Sequence, residues 1–360
     1  MFEGAEVTAK TQLHLDRCLT CRNCESTCPS GVEYGKLLDI GRNWVEAHVS
    51  RSTADKLQRA TLGTLISNPT LFTPLLKLGQ ALRPLMPRRL KMKIPQQASI
   101  AARPARTSEH ARRMLLLEGC VQPALAPNIN AAATRVLDRL GITLFTAPAA
   151  GCCGAVTYHL NDYDGGLNAM CRNIDAWLPH LEAGAEAIVM TASGCGVMVK
   201  EYGWHLRHDP AYADKAARVS AATKDLSEVV LAEGEKLETL LPPRATRLAS
   251  RHRIAFHPPC TLQHGQKITG VVEVLLARAG FELTAVPESH LCCGSAGTYS
   301  LLQPEIAGAL QTRKLANLQS GTPDMIVTAN IGCLTHLQSG TSTPVRHWVE
   351  LLEELFIPGQ

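Results

Sequence analysis

Four cysteines fall within eleven residues in Cys18-Leu-Thr-Cys21-Arg-Asn-Cys24-Glu-Ser-Thr-Cys28-Pro29, a C-x2-C-x2-C-x3-C-P run. Three thiolates this close can wrap a tight loop around one iron–sulfur cluster, while the proline after the fourth turns the chain so that Cys28 can reach a second. Zinc is the rival chemistry. Zinc ribbons, however, draw their ligands from two knuckles a dozen or more residues apart, and four cysteines in a single short run suit a cluster better. The spacing therefore points to electron transfer.

A second kind of cysteine group comes from an internal duplication. Arg113-Met-Leu-Leu-Leu-Glu-Gly-Cys120 aligns with Arg253-Ile-Ala-Phe-His-Pro-Pro-Cys260, and each ends in a cysteine followed 32 positions later by Cys-Cys-Gly, at 152–154 and 292–294. Further on, Ile188-Val-Met-Thr-Ala-Ser-Gly-Cys195 aligns with Ile326-Val-Thr-Ala-Asn-Ile-Gly-Cys333. Each repeat thus gathers four thiols, Cys120, Cys152, Cys153 and Cys195 in the first and Cys260, Cys292, Cys293 and Cys333 in the second. Such a set is a soft-metal or redox site. Buried thiols serving only as small core residues are the plainer alternative, which matched spacing in two copies disfavours.

To position these groups, each repeat alternates apolar β-rich runs with helical patterns: Met114 to Leu117, then Ile129 to Leu140, then Ile142 to Phe145. Gly141 and Gly280 follow their helices as C-cap glycines would. Strands alternating with helices of this length predict parallel α/β units, with the cysteines at the carboxyl ends of strands, where open sheets place ligands. The domain reading is a cluster module at 1–50, a basic, proline-interrupted helical linker at 51–112 and a first cysteine-rich domain at 113–202. A helical linker at 203–252, a second cysteine-rich domain at 253–340 and a C-terminal helix at 341–360 complete it. In the module, Gly35 to Val49 reads as an amphipathic helix packing behind the cluster through Leu37, Leu38, Ile40, Trp44 and Val45. Prolines at 69, 74, 84, 87 and 95 predict short, broken helices over 51–95.

At 360 residues the chain is long enough for two or three cores. Thirteen cysteines in C-x2-C steps and vicinal pairs, without a signal-peptide pattern, fit a reducing cytoplasm. No run of eighteen apolar residues occurs, so any membrane link is expected to be peripheral or through a partner. Between residues 80 and 113, nine basic residues (Arg83, Arg88, Arg89, Lys91, Lys93, Arg103, Arg106, Arg112, Arg113) face the single acid Glu109, and this stretch carries +8 while the remainder carries −4. The strip suits an anionic lipid surface, an acidic partner or a solvated linker. Nucleic acid is not expected, because aromatics make up only 4% of the chain and none interleaves the strip.

The tandem Cys…Cys-Cys-Gly…Cys repeats resemble the cysteine-rich domains of heterodisulfide reductase subunits, joined here to a module that resembles a bacterial ferredoxin. More narrowly, His14-Leu-Asp-Arg-Cys-Leu-Thr-Cys-Arg-Asn-Cys, Leu38-Asp-Ile-Gly-Arg42, Leu117-Glu-Gly-Cys120, Thr191-Ala-Ser-Gly-Cys195, Cys260-Thr-Leu-Gln-His264, His290-Leu-Cys-Cys-Gly-Ser-Ala-Gly-Thr-Tyr299 and Thr328-Ala-Asn-Ile-Gly-Cys333 resemble the iron–sulfur subunits of bacterial glycolate oxidases. The resemblance covers essentially the whole chain. It implies an α/β fold, with a ferredoxin-like 4Fe-4S module ahead of two duplicated cysteine-rich domains. It also implies flavin-containing partner subunits that oxidise glycolate to glyoxylate, a quinone as membrane acceptor, and a place on the cytoplasmic face of the plasma membrane. Related lactate, glycerol-3-phosphate or heterodisulfide systems, and a zinc-holding scaffold, are the rival readings.

Two departures from these families matter. The heterodisulfide reductase repeat ends in C-x2-C, whereas Met198 and His336 stand three residues after Cys195 and Cys333. His336 is therefore the candidate nitrogen donor of the second repeat, with a role as pocket lining as its alternative. The glycolate oxidase subunits carry two ferredoxin motifs, and the sequence begins just upstream of what resembles the second. At least one 4Fe-4S cluster is expected, on Cys18, Cys21, Cys24 and Cys28. Cys28 either closes that cluster or belongs to a second one completed by a partner or by sequence upstream of Met1. Cys171, without a partner cysteine, reads as core, and His257, His264 and His290 flank the second cysteine group as structural or tuning residues.

Overall fold

A computed structural model describes residue 4 and residues 6–87, 94–95, 108–243 and 252–356. Two four-stranded, wholly parallel sheets organise it. The first holds β1 (Arg112–Leu117), β2 (Ile142–Phe145), β3 (Ile188–Met190) and β4 (Thr223–Asp225) in the order β2-β1-β3-β4. The second repeats that order with β5 (Arg253–His257), β6 (Glu282–Leu283), β7 (Met325–Thr328) and β8 (Val345–His347) as β6-β5-β7-β8. Duplication at the level of sequence has thus become duplication of topology.

Successive residues of a strand point to opposite faces of its sheet, and here both faces are apolar. Met114, Leu116 and Val189 of the first sheet share one core with Ile254, Phe256 and Val327 of the second. Leu115, Leu117, Ile188 and Met190 face a separate cluster around Trp177 and Tyr202, and Ala255 and Ile326 face one built around the second set of cysteines. The shared core makes the repeats one packed body. Polar contacts stitch it further: His347 Nε2 lies 3.0 Å from the Thr191 carbonyl, Ser193 N donates to Ala329 O at 3.2 Å, and Arg135 pairs with Glu353 at 2.9 Å.

Two boundaries read from the sequence change. The stretch 203–252, expected to be linker, supplies β4, and 341–360, expected to be helix alone, supplies β8 ahead of the helix Trp348–Glu354. Both strands are three residues long, too short to show alternation, and they form because each completes an edge, β4 on β3 and β8 on β7. In the region 51–95, two full helices, Thr53–Ser67 and Pro69–Leu82, replace the expected short pieces. Pro69 sits at the first helical position, where its missing N–H is no loss, and Pro74 removes one intrahelical bond.

Within the amino-terminal module, the helices Ala9–Asp16 and Tyr34–His48 bracket the cysteine loop. Leu38 and Val45 of the second helix are buried as expected, but Leu37, Ile40 and Trp44 are exposed. Arg51 and Arg59 bind Asp16, Glu46 and Asp55 in one ion-pair network that crosses the expected boundary at residue 50. Of the basic strip, Arg88, Arg89, Lys91, Lys93, Arg103 and Arg106 lie outside the described residues. Arg112 pairs with Glu186 and Glu233, and the Arg113 guanidinium stacks 4.6 Å from the Phe145 ring. Among the described residues no helix is long and apolar enough to cross a membrane.

Candidate metal centres

Each repeat places its thiols beyond the carboxyl ends of three adjacent strands. Cys120 follows β1, Cys152 and Cys153 follow β2, and Cys195 opens the helix after β3; Cys260, Cys292, Cys293 and Cys333 stand in the same relation to β5, β6 and β7. Of these eight, Cys195 is partly buried and the other seven are buried. The glycine of each Cys-Cys-Gly is a geometric necessity. Gly154 has φ +87° and Gly294 φ +92°, a region that side-chain-bearing residues rarely adopt. A Cβ there would lie 2.9 Å from Gly166 O in the first repeat and 2.6 Å from Ala307 O in the second. The turn also aims an amide at sulfur: Gly294 N donates to Cys292 Sγ at 3.4 Å, and the Gly154 amide acts likewise on Cys152.

In the second repeat the sulfurs form two close pairs, Cys260 with Cys292 at 3.7 Å and Cys293 with Cys333 at 3.3 Å. Two sulfurs on one tetrahedral metal, each about 2.3 Å from it, stand about 3.8 Å apart, so both pairs are spaced as shared ligands. Hydrogen bonding inside the set holds Cys292 and Cys333 low, Cys292 chiefly through Cys260 and Cys333 chiefly through Cys293, while Cys260 and Cys293 are pushed up. Half of the sulfurs are thus predisposed to the thiolate form a metal requires. The donor chemistry fits an iron–sulfur group or another soft metal.

Histidine placement separates the two repeats. His257, the last residue of β5, brings a ring nitrogen within 4.8 Å of both Cys293 Sγ and Cys333 Sγ, and among the described residues no other group of three such donors is as close. His336, the nitrogen donor expected from the sequence, lies outside that group; its ring bonds to the Ala307 backbone. Register explains the exchange, since His336 is carried on the helix after β7, whereas His257 is held at the strand end, where the cysteines converge. The signal was present in the repeat alignment, which sets His257 against Leu117.

Lys314 is a further residue that sequence reasoning missed. It is 1% exposed, its Nζ donates to the carbonyls of Glu288 at 2.8 Å and Ser289 at 3.2 Å, and the thiols of Cys293, Cys292 and Cys333 act on its charge. Burial lowers its pKa, and the neighbouring thiolates oppose that. Gly154 faces Gly166 and Ala169 where Gly294 faces Ala307 and Leu310, so the counterpart of Lys314 is Asn173. Asn173 is neutral, and it binds the backbone around Cys152, accepting from Gly151 N at 2.9 Å and donating to Cys152 O at 3.0 Å.

The amino-terminal loop is curled by two non-glycine residues in left-handed backbone, Thr20 at φ +52° and Arg22 at φ +58°. Such strain, of order 1–2 kcal/mol per residue, persists where surrounding contacts enforce it. Arg42 enforces it here by donating to the carbonyls of Leu15 and Cys18, each at 2.8 Å. Cys18, Cys21 and Cys24 are near enough to act on one another's charge, and burial is the main cause that raises Cys21 and Cys24. Cys28 behaves differently: the amides of Val32, Ser30 and Gly31 turn toward its sulfur and lower its pKa. Three mutually facing thiols and one stabilised by backbone amides are a donor set that fits an iron–sulfur group. Cys171, without a thiol neighbour, packs at the edge of the Trp177 cluster.

This loop docks on the second repeat. Leu19 and Cys21 pack into the apolar cluster that contains Cys260, Cys292, Cys293 and Cys333. Around them Ser26 Oγ lies 2.7 Å from His264 Nδ1, His264 Nε2 lies 3.0 Å from His290 O, and Tyr299 donates to Arg17 O at 2.9 Å. The first repeat holds the other side through the ion pair of Arg22 with Glu201 and through Asn161, which donates to Glu46 at 2.9 Å.

A short thiol loop seated on a duplicated parallel α/β body, each half with a Cys…Cys-Cys-Gly…Cys set, defines the class of tandem cysteine-rich redox subunits. Residues 114–200 and 254–338 each match the family described as "Cysteine-rich domain" (CCG). The chain is 54% identical over 354 residues, 98% of its length and 85% of the other, to the glycolate oxidase iron–sulfur subunit of Escherichia coli K12. It is 27% identical to a probable glycolate oxidase iron–sulfur subunit of Bacillus subtilis, covering 91% of this chain and 77% of that one. Lactate utilization protein A of Geobacillus thermodenitrificans is 28% identical over 67% of the chain and 98% of its own length. The fold is shared with a hypothetical protein of Helicobacter pylori, at TM-score 0.50 and 12% identity over 98% of this chain and 74% of that one. The chain belongs to the glycolate oxidase iron–sulfur subunit family.

Proposed function

We propose that this chain carries electrons within a glycolate-oxidising complex, taking them from flavin-containing partner subunits that convert glycolate to glyoxylate and delivering them toward a membrane quinone. The observation that carries the reading is the packing of Cys21 against the buried cluster that contains the second repeat's four cysteines, which makes two thiol sets neighbours. Family membership supplies the complex. A bound 4Fe-4S cluster would contribute reversible one-electron chemistry, with Cys18, Cys21 and Cys24 as its ligands in the loop. Cys28 either completes that set or serves a second centre.

The protein's own part is positional. Arg42 fixes the loop carbonyls, Leu19 and the repeat's apolar residues exclude water, and the Cys-Cys-Gly turns direct amides at sulfur. In this reading the organic substrate binds to the partner subunits. Peripheral attachment at the inner membrane face, through the basic strip, belongs to the same proposal.

Anaerobic purification of the complex, with iron, zinc and acid-labile sulfide counted per chain and glycolate then added, tests the reading. Iron with matching sulfide, and a paramagnetic signal generated by glycolate but not by lactate, are expected. A colourless, zinc-loaded, sulfide-free chain would overturn it in favour of a scaffold, and reduction by lactate alone would move the complex to the lactate system. Cys21→Ser should remove the loop's signal while leaving the circular dichroism of the two sheets intact.

A further inference from the structure

We propose that the imidazole of His257 is a direct nitrogen ligand of a metal centre in the second repeat, alongside Cys293 and Cys333, a donor that the first repeat lacks. His257 is 0% exposed, and apart from the Cys333 thiol, which its ring stabilises in the charged form, its ring nitrogens find no hydrogen-bond partner. A buried polar atom left unpaired costs about 1–3 kcal/mol, so a buried ring turned only to thiols needs a function to hold it there. The fold does not require the histidine, because the first repeat fills the same strand position with Leu117, 4% exposed in an apolar cluster.

Geometry names the partner of the ring. His257 is anchored by the pairing of β5 with β7, opposite Thr328, whose hydroxyl donates to the His257 carbonyl at 3.1 Å. From there its nitrogen and the sulfurs of Cys293 and Cys333 all lie within 4.8 Å of one another. Two sulfurs and one imidazole nitrogen account for three of the four positions of a tetrahedral soft metal. Asn330, whose amide nitrogen lies 3.6 Å from Cys333 Sγ, and the buried Lys314 add donor and positive character to the same side. Exchanging thiolate for imidazole raises the potential of an iron–sulfur centre, so the mixed set makes the second repeat the more oxidising of the two. Only the naming of iron rests on the proposed function; the ligand assignment does not.

The test uses the full chain purified anaerobically in a Cys21→Ser background, so that the amino-terminal loop is silent, with histidine labelled by nitrogen-15. Pulsed paramagnetic resonance of the reduced protein should show a directly bonded imidazole nitrogen. His257→Leu, the residue that the first repeat already tolerates, should abolish that coupling and lower metal retention about tenfold or more. Metal present without a bonded nitrogen, an unaltered spectrum in His257→Leu, or a second repeat that binds no metal would each overturn the proposal. Should the metal be zinc without sulfide, X-ray absorption at the zinc edge reads the same ligation. One nitrogen among sulfurs would then uphold His257 while sinking the iron–sulfur reading, and an all-sulfur shell would sink both.

Discussion

The two repeats share a strand order, a thiol spacing and a Cys-Cys-Gly turn, and differ in what lies against the thiols. Where the first has Leu117 and Asn173, the second has His257 and Lys314. After Cys120 the chain enters an ordinary helical turn, Gln122–Leu125, whereas after Cys260 it makes a wider π-type turn, Thr261–Gly265, that aims His264 at the amino-terminal loop. Such widened turns are frequent at functional sites. Duplication therefore supplied a scaffold twice, and the substitutions concentrate at the copy that receives Cys21. The second set of thiols reads as the chemical partner of the loop, and the first as a support that binds it mainly by charge.

The comparison breaks hardest where the copies agree. Gly294→Ala forces a left-handed alanine and a Cβ 2.6 Å from the Ala307 carbonyl, while Gly154→Ala leaves 2.9 Å to Gly166 O. Backbone strain and overpacking together set the loss at about 3–5 kcal/mol for Gly294 and somewhat less for Gly154. Gly270→Ala, with φ +74° but nothing within 4 Å, isolates the backbone part and should cost only about 1 kcal/mol. Denaturant titration of the three variants gives the ranking. Equal losses would mean that the close approach at the two Cys-Cys-Gly turns is irrelevant.

A second, smaller contrast lies at the edge strands. Each last strand ends in the N-cap of the following helix, with a capping box completed by a glutamate: Asp225 with Glu228 after β4, and His347 with Glu350 after β8. His347 Nδ1 accepts from Val349 N at 3.3 Å, and its Nε2 therefore donates to the Thr191 carbonyl at 3.0 Å, which requires the neutral ring. Burial lowers its pKa to about 4, and burial raises that of Asp225. A depressed histidine contributes stability that is complete above its unfolded pKa of about 6.5 and is lost as pH falls through 4, about 3 kcal/mol over that window. Asp225 has the opposite sign, losing stability as pH rises above its unfolded value. His347→Asn, which can still cap the helix, should cost about 1 kcal/mol at pH 7 and flatten the fall in stability between pH 6.5 and 4. Parallel pH profiles for the variant and the parent would exclude the assignment.

What could be read from the sequence follows the same division. The duplication, the Cys-Cys-Gly turns and the capping glycines at 141 and 280, both at positive φ, are local and repeat at fixed spacing, so their physical causes are visible in a line of residues. β4 and β8 were missed because Thr-Lys-Asp and Val-Arg-His carry no alternation and become strands only when a neighbouring edge is already in place. Strands buried on both faces, such as Met114 to Leu117, do not reveal in sequence that alternate residues belong to different cores, and so the core shared by the repeats was hidden. The exposure of Leu37, Ile40 and Trp44 shows the converse limit, since an apolar stripe states that something packs there but not what. His257 was legible as an asymmetry between copies, yet its proximity to Cys293 and Cys333 depends on strand register across 76 residues of separation.

The smallest expected effects separate the two ways in which the loop is held. On the first repeat, Arg22 and Glu201 form a two-pronged ion pair with both side chains largely buried; on the second, Ser26, the His264 ring and the His290 carbonyl form a hydrogen-bonded chain without a carboxylate. Arg22→Gln keeps the length of the side chain and removes its charge, at a cost of about 1–3 kcal/mol, while His264→Ala removes hydrogen bonds worth about 1 kcal/mol. Salt should distinguish them further, because screening weakens a partly exposed ion pair and leaves hydrogen bonds without a carboxylate nearly unchanged. Hydrogen exchange across residues 9–48 is the measurement. In the parent, raising the ionic strength from 0.05 to about 0.5 M should speed exchange modestly, with Arg22→Gln less sensitive to salt than the parent and His264→Ala as sensitive as the parent. The opposite pattern would mean that charge holds the loop to the second repeat, and the division of roles between the two copies would have to be reversed.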